Sequence, residues 1–167
     1  MATSVNGIIA REDGQEDFLS DYGWQHFVKL SKQYGNFIVG HSTYEITKKY
    51  YVGHGLDDLK DIKKIVLSRQ KDLNLGPEYI VALSPTEALK ILEDSGIETA
   101  LVAGGSALNT SFAKENLINE VIVNVEPVVV GSGRPLFAPE DFEFKLDLES
   151  IEKYENSGLT LHYRVIN

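Results

Sequence analysis

The sequence predicts an α/β protein: a three-layer sandwich with a mostly parallel central sheet, an antiparallel C-terminal edge and helices on both faces. Short continuous apolar runs such as "NFIVG" (36–40), "KIVLS" (64–68) and "TALVAG" (99–104) have the length and composition of strands buried on both faces. Segments of helical period lie between them, as the crossover connections of parallel strands require. From about residue 120 the strand-like runs follow one another with little helix between, which predicts antiparallel pairing at one edge of the same sheet.

In chain order, "SVNGIIA" (4–10) reads as a short strand or the end of one. "GWQHFVKLSKQY" (23–34) sets Trp24, Phe27, Val28 and Leu30 near one helical face. "NFIVG" leads into "STYEITKKY" (42–50), a short helix capped by Ser42 with Glu45 at the reciprocal position. "EYIVAL" (78–83) is a further buried strand after "KIVLS". "SPTEALKILEDSG" (84–96) is the clearest helix, with Ser84 as N-cap, Pro85 at the first helical position, Glu87 at N3 and Gly96 at its C-terminal end. "TALVAG" passes into the helix "SALNTSFAKEN" (106–116); "EVIVNVEPVVVG" (120–131) is strand and extension, and "GLTLHYRVIN" (158–167) a last strand.

With 167 residues, 43% hydrophobic and 25% charged, residues 1–167 are expected to form one domain with its own core. The lack of cysteine excludes disulfides, thiolate metal sites and a cysteine nucleophile. No apolar run approaches the ~20 residues of a membrane span, and "MATSVNGIIARED" turns polar too early for a signal peptide, so a cytoplasmic location is expected. The net charge of −9 argues against non-specific nucleic-acid binding, and any anion site must be built locally. The expected partners are a small-molecule substrate, no nucleic acid and no membrane, with the chain a monomer or homodimer. His26, His41, His54 and His162 show no metal-ligand spacing, so no metal is expected, and no Ser-His-Asp order or Walker A motif occurs.

Ligands of such sheets bind beyond the carboxyl ends of strands, which singles out residues 8–10, 40–43, 67–69 and 103–106. Gly104-Gly105-Ser106 is either a phosphate cradle at a helix start or a strand-to-helix turn with Ser106 as N-cap, and both readings can hold together. "VGHSTYE" (39–45) repeats the arrangement with Gly40, His41, Ser42 and Thr43. Ser68 and Arg69 end a strand, where a forked donor suits a phosphate monoester and a solvated surface arginine is the alternative. "VVVGSGRPLF" (128–137) is a phosphate nest or a structural turn. Asp57 and Asp58 lie in a polar loop, and "EDGQED" (12–17) is a solvent-facing charge run or a lid.

"NGIIA" (6–10), "NFIVGHSTYE" (36–45), "KIVLSRQ" (64–70), "ETALVAGGSALNTSF" (98–112) and "LINEVIVNVEPVVVGSGRPLF" (117–137) together resemble the dihydrofolate reductase superfamily in order and near-family spacing. That superfamily includes the reductase domain of bacterial riboflavin biosynthesis. The resemblance implies a dihydrofolate reductase-like sandwich and an NADPH-dependent reductase. It implies that Gly40, His41, Ser42 and Thr43 lie along the pyrophosphate and nicotinamide side. Gly104, Gly105, Ser106 and Ala107 would take the pyrophosphate, and Ser68 and Arg69 the adenosine 2′-phosphate. Ile9 and Ala10 would border the nicotinamide under a mobile loop of residues 11–23. Phe27, Val28 and Leu30 would present an apolar face to a pterin or pyrimidine.

"GHSTYE" resembles the dihydrofolate reductase pattern, whereas the Asp-Asp-Pro of riboflavin-pathway reductases is met by Asp57, Asp58 and Leu59. The implied activity is therefore NADPH-dependent reduction of dihydrofolate to tetrahydrofolate, in folate and one-carbon metabolism. The alternatives are 5-amino-6-(5-phosphoribosylamino)uracil reductase and a nucleotide-binding module without turnover. An ungapped count puts Trp24 where the family carries a carboxylate, with Asp17 and Asp21 the nearest acids and Asp21 the expected proton relay. Ile62 stands where the folate tail meets an arginine, with Lys60 and Lys63 beside it, and Lys63 is the expected substrate contact. Asn124 falls where the family strand supplies a hydroxyl, and is expected to position a substrate amino group or a water.

Overall fold

The apolar runs become strands because each buries both faces. In a computed structural model, residues 1–50, 56, 59–154 and 157–166 are described. His54, Asp57 and Asp58 lie outside the described residues. Strands β3 (Asn36–Gly40), β4 (Lys63–Leu67) and β5 (Tyr79–Ala82) pair in parallel, in that order. Phe37, Val39 and Val66 face one layer, with Tyr44 of helix α2 (His41–Tyr50) and Phe27 and Val28 of helix α1 (Asp21–Tyr34). Ile38 and Ile65 face the other, against Ala88 and Leu92 of helix α3 (Pro85–Glu93) and Leu108 and Phe112 of helix α4 (Ser106–Lys114). The period-2 alternation of the strands thus feeds two cores, one for each helical layer. Phe112 is 0% exposed at the centre of the α3–α4 layer. Phe112→Ala is expected to cost about 3–5 kcal/mol in chemical denaturation.

Residues 101–104 run beside β3, with Ile38 N–H donating to Leu101 O (2.8 Å), Ala103 N–H to Ile38 O (2.9 Å) and Gly40 N–H to Gly104 O (2.9 Å). The expected strand 99–104 is thereby reduced to a bridge at Ile38 and Val102. The C-terminal sheet has the order β1 (Ala2–Ser4), β6 (Glu120–Glu126), β9 (Leu159–Ile166), β8 (Lys145–Lys153). β1 and β6 are parallel, and the pairs β6–β9 and β9–β8 are antiparallel, which is the expected antiparallel edge. β2 (Ile8–Ala10) pairs with the short β7 (Arg134–Pro135).

The chain departs from expectation where side chains compete with regular structure. The run 4–10 is two strands, because Gly7 turns at φ +81° and Ser4 Oγ accepts from Ile8 N–H at 3.0 Å. Helix α1 starts at Asp21, after Ser20, whose Oγ and N–H both go to Glu126 Oε1 (2.7 and 3.2 Å). Ser42 does not cap α2, which begins at His41. In α3 the expected cap is present: Ser84 Oγ accepts from Glu87 N–H at 3.1 Å, and Glu87 Oε2 accepts from Leu83 N–H at 2.8 Å. β8 has no counterpart among the expected strands, because its residues are exposed and its Leu146, Leu148 and Ile151 are interleaved with charges rather than forming a run. Among the described residues no helix is long and apolar enough to cross a membrane.

Candidate active site

The carboxyl ends of β3 and β4 and the end of segment 101–104 open onto one cleft of about 1310 Å³. The bond from Gly40 N–H to Gly104 O brings α2 and α4 to start side by side. A Cβ on Gly105 would stand 3.3 Å from Thr43 Oγ1 and 3.7 Å from Ile9 Cδ1, so glycine keeps the space between the two helix starts open. Gly105 is the N-cap of α4 and supplies no side-chain cap, and a helix start carries N–H groups that the helix itself leaves unsatisfied. Ser106 is therefore the first helical residue rather than the cap, and its Oγ donates to the Pro135 carbonyl. Gly40, His41, Ser42, Thr43, Gly105, Ser106 and Ala107 all line the cleft, as do Ile9 and Ala10. Gly104 stands behind this wall and contributes its carbonyl to Gly40.

At the end of β4, Ser68 is buried, donates its N–H to Ala82 O (2.9 Å) and accepts from Gln70 N–H through Oγ (3.1 Å). This turn holds Arg69 outward at the cleft, exposed and with no ion pair among the described residues. The loop 11–20 is tied down on several sides. Arg11 holds Asp17 with two bonds (2.5 and 2.9 Å), and Arg134 donates to Glu12 O (3.3 and 3.0 Å). A Cβ on Gly14 would sit 2.5 Å from Ile46 Cδ1, so the loop packs on α2. The Arg11 guanidinium keeps the Asp17 carboxyl below its usual range. A carboxylate stabilised in the folded state loses that contribution as pH falls, so this tether persists through neutral pH and opens only in acid. The loop 128–131 is also structural, with Asn6 bonding both ways to Val130 (2.7 and 3.1 Å).

Across the cleft, α1 contributes Trp24, His26, Phe27 and Leu30. The Trp24 and Phe27 rings lie 5.4 Å apart, and Phe27 rests edge-on against Phe37 at 5.6 Å. Asp21 lines the cleft as the exposed first residue of α1. Two expected substrate contacts lie elsewhere. Val28 packs into the core beside Phe37, because the helix turns that side chain inward. Lys63 pairs with Asn36 at the amino end of β4, opposite the strand end that opens on the cleft. Ile62 joins the same core as Val28.

Asn124 is 4% exposed on β6, and its Oδ1 accepts from Thr160 Oγ1 (2.9 Å) and meets His26 Nδ1 (3.0 Å). The α1 side chain that reaches this strand residue is therefore His26, a residue that no sequence motif marks. The only sequence signal was that the family position, counted without gaps, fell two residues away at Trp24. No group of His, Asp and Glu suited to a metal ion occurs among the described residues.

The RibD C-terminal domain family matches residues 1–160. The chain belongs to the RibD C-terminal domain family. It is 32% identical over 171 residues to the uncharacterized protein YwjB of Bacillus subtilis strain 168, covering 98% of this chain and 94% of that protein. It is 31% identical over 101 residues to the riboflavin biosynthesis protein RibD of Buchnera aphidicola subsp. Baizongia pistaciae, covering 59% of this chain and 24% of that one. Solved structures share the fold. A candidate riboflavin biosynthesis protein from Shewanella sp. PV-4 superposes with TM-score 0.81 at 23% identity, covering 100% of this chain and 97% of that one. Acinetobacter baumannii RibD gives TM-score 0.79 at 18% identity over 100% of this chain and 57% of its own. The Thermotoga maritima diaminohydroxyphosphoribosylaminopyrimidine deaminase/5-amino-6-(5-phosphoribosylamino)uracil reductase gives 0.72 at 17%, over 99% and 55%. This chain thus spans little more than half of those two RibD proteins.

The family match overturns the expected dihydrofolate reductase activity, and the folate and one-carbon assignments with it. The geometry agrees: no α1 carboxylate meets Asn124, and no arginine stands at Ile62. The pattern "GHSTYE" that favoured folate belongs to a helix start at the Gly40 strand end, across the cleft from α1.

Proposed function

We propose that this chain is an NADPH-dependent oxidoreductase that reduces a ribosylated aminopyrimidine of the 5-amino-6-(5-phosphoribosylamino)uracil class. The observation that carries the reading is the pair of adjoining helix starts, held open by Gly105 and flanked by Arg69. The space that a Cβ at Gly105 would enter suits a pyrophosphate, whose oxygens accept from first-turn N–H groups. Gly40 to Thr43 and Gly105 to Ala107 would hold that group, Ser68 and Arg69 the 2′-phosphate, and Ile9 and Ala10 the nicotinamide edge. Bound there, NADPH supplies a hydride. The chain's own part is to orient the substrate ring against Trp24 and Phe27 and to exclude water with the loop 11–20. The partners that fit this reading are small molecules, with neither nucleic acid nor a membrane surface, in a cytoplasmic monomer or homodimer.

Trp24 is the one tryptophan of the chain and lines the cleft, so its fluorescence reports nucleotide binding. Arg69→Leu is expected to weaken NADPH about 10- to 100-fold in such a titration and to leave NADH nearly unchanged, because the lost fork faces only the extra phosphate. Equal weakening of both nucleotides would remove Arg69 from the 2′-phosphate. The activity itself is tested by following NADPH loss with the phosphoribosylaminouracil as substrate. Consumption with formation of the ribityl product supports the reading. Tight nucleotide binding without consumption supports a binding module instead.

A further inference from the structure

We propose that His26 is the catalytic acid of this cleft, delivering a proton from Nε2 to the substrate nitrogen while Asn124 and Thr160 hold its ring. The proposal rests on the reductase reading above. An amide oxygen only accepts, so the 3.0 Å contact with Asn124 Oδ1 assigns the hydrogen to His26 Nδ1. The hydroxyl of Thr160 donates to the same oxygen at 2.9 Å. With Nδ1 committed, the working nitrogen is Nε2, which has no hydrogen-bond partner among the described residues, on a residue that lines the cleft.

The support for the ring is buried and built. Asn124 and Thr160 are 4% and 6% exposed, and buried amides and hydroxyls are retained where their bonds are used. Tyr22 lies 5.6 Å from the imidazole, places its hydroxyl 3.4 Å from Thr160 Oγ1, and stacks on Tyr154 at 3.9 Å. The titratable neighbours are these two phenols, Asp21 at the helix start, and Glu126 at the end of β6, whose carboxylate is engaged by Ser20. Asp21 is exposed to solvent and makes no contact with Asn124, so it lacks the fixed orientation that His26 has.

The step balances as follows. A ribosylamine opens to an imine. The imine carbon accepts hydride from the reduced nicotinamide, which is oxidised, and the C=N π pair moves onto nitrogen. The Nε2–H bond of the imidazolium breaks, an N–H bond forms on that nitrogen, and solvent returns a proton to His26. Asn124 and Thr160 are positioning residues, since they act through the ring.

The test compares wild type with His26→Gln. For His26→Gln the expected result is a kcat lower by about 100- to 10,000-fold, the usual span for a general acid. NADPH affinity from Trp24 fluorescence should stay within about 2-fold, because the cofactor side is untouched. The pH dependence of kcat in His26→Gln should differ from that of the wild type. In the wild type, the ribityl product bound with NADP⁺ should shift the side-chain ¹⁵N resonance of His26 Nε2 and spare Nδ1. A His26→Gln enzyme within about 3-fold of wild-type kcat with the same pH profile overturns the proposal and leaves the reductase reading standing. So does loss of NADPH affinity together with turnover, which marks His26 as structural. A wild type that binds NADPH and consumes none overturns both.

Discussion

Gly105→Val is expected to lower NADPH affinity at least ~100-fold, equivalent to about 2.7 kcal/mol. The cause is local. The first added carbon already lies 3.3 Å from Thr43 Oγ1 and 3.7 Å from Ile9 Cδ1, and valine adds two further methyls at this junction. A helix start carries N–H groups that the helix itself leaves unsatisfied, so the substitution takes the room an anion needs to reach them. A Trp24 fluorescence titration reads the loss, and calorimetry establishes that the cooperative unfolding transition remains. Wild-type affinity in this variant would place the nucleotide away from the α2–α4 junction.

Gly133→Ala is the second large effect, expected to destabilise the chain by about 2–4 kcal/mol. Gly133 has φ +154°, and a Cβ there would stand 2.4 Å from the Ala10 carbonyl oxygen and 2.7 Å from Ile8 Cγ2. A backbone oxygen cannot swing aside as a side chain can, so β2 itself must move. Because Ala10 lines the cleft, turnover should fall along with stability. Gly131 is the internal control, since a Cβ there meets nothing within 4 Å. Gly131→Ala should stay within about 0.5 kcal/mol of wild type in the same urea titration.

What was legible in the sequence follows from where the determining interactions lie. The strands at 36–40 and 63–67 and the helix at 85–93 were readable because burial on both faces and a Ser-Pro-x-Glu start are local signals. β8 was not, although its partner β9 follows it directly, since its residues are exposed and its few apolar side chains are interleaved with charges. The strand ends 40–43, 67–69 and 105–107 meet around one cleft, as the rule for parallel sheets requires. The wall opposite was harder. Which side chains of α1 face β6 depends on how the helix is rotated in the packed layer, and a count along the chain singles out Trp24 rather than His26. The same rotation sends Val28 into the core, and strand direction puts Lys63 at the far end of β4. Substrate class differs from the expectation for a related reason: "GHSTYE" describes the helix start at the Gly40 strand end and says nothing of the cleft wall that α1 forms.

The most direct measurement uses NADPH deuterated at the nicotinamide position that carries the transferred hydride, incubated with the phosphoribosylaminouracil. Deuterium is expected in the product, on the sugar carbon attached to the amino nitrogen, in amounts equal to the nucleotide oxidised. Nucleotide bound at the cleft with no labelled product formed would contradict the assignment of this chain as a reductase of that class.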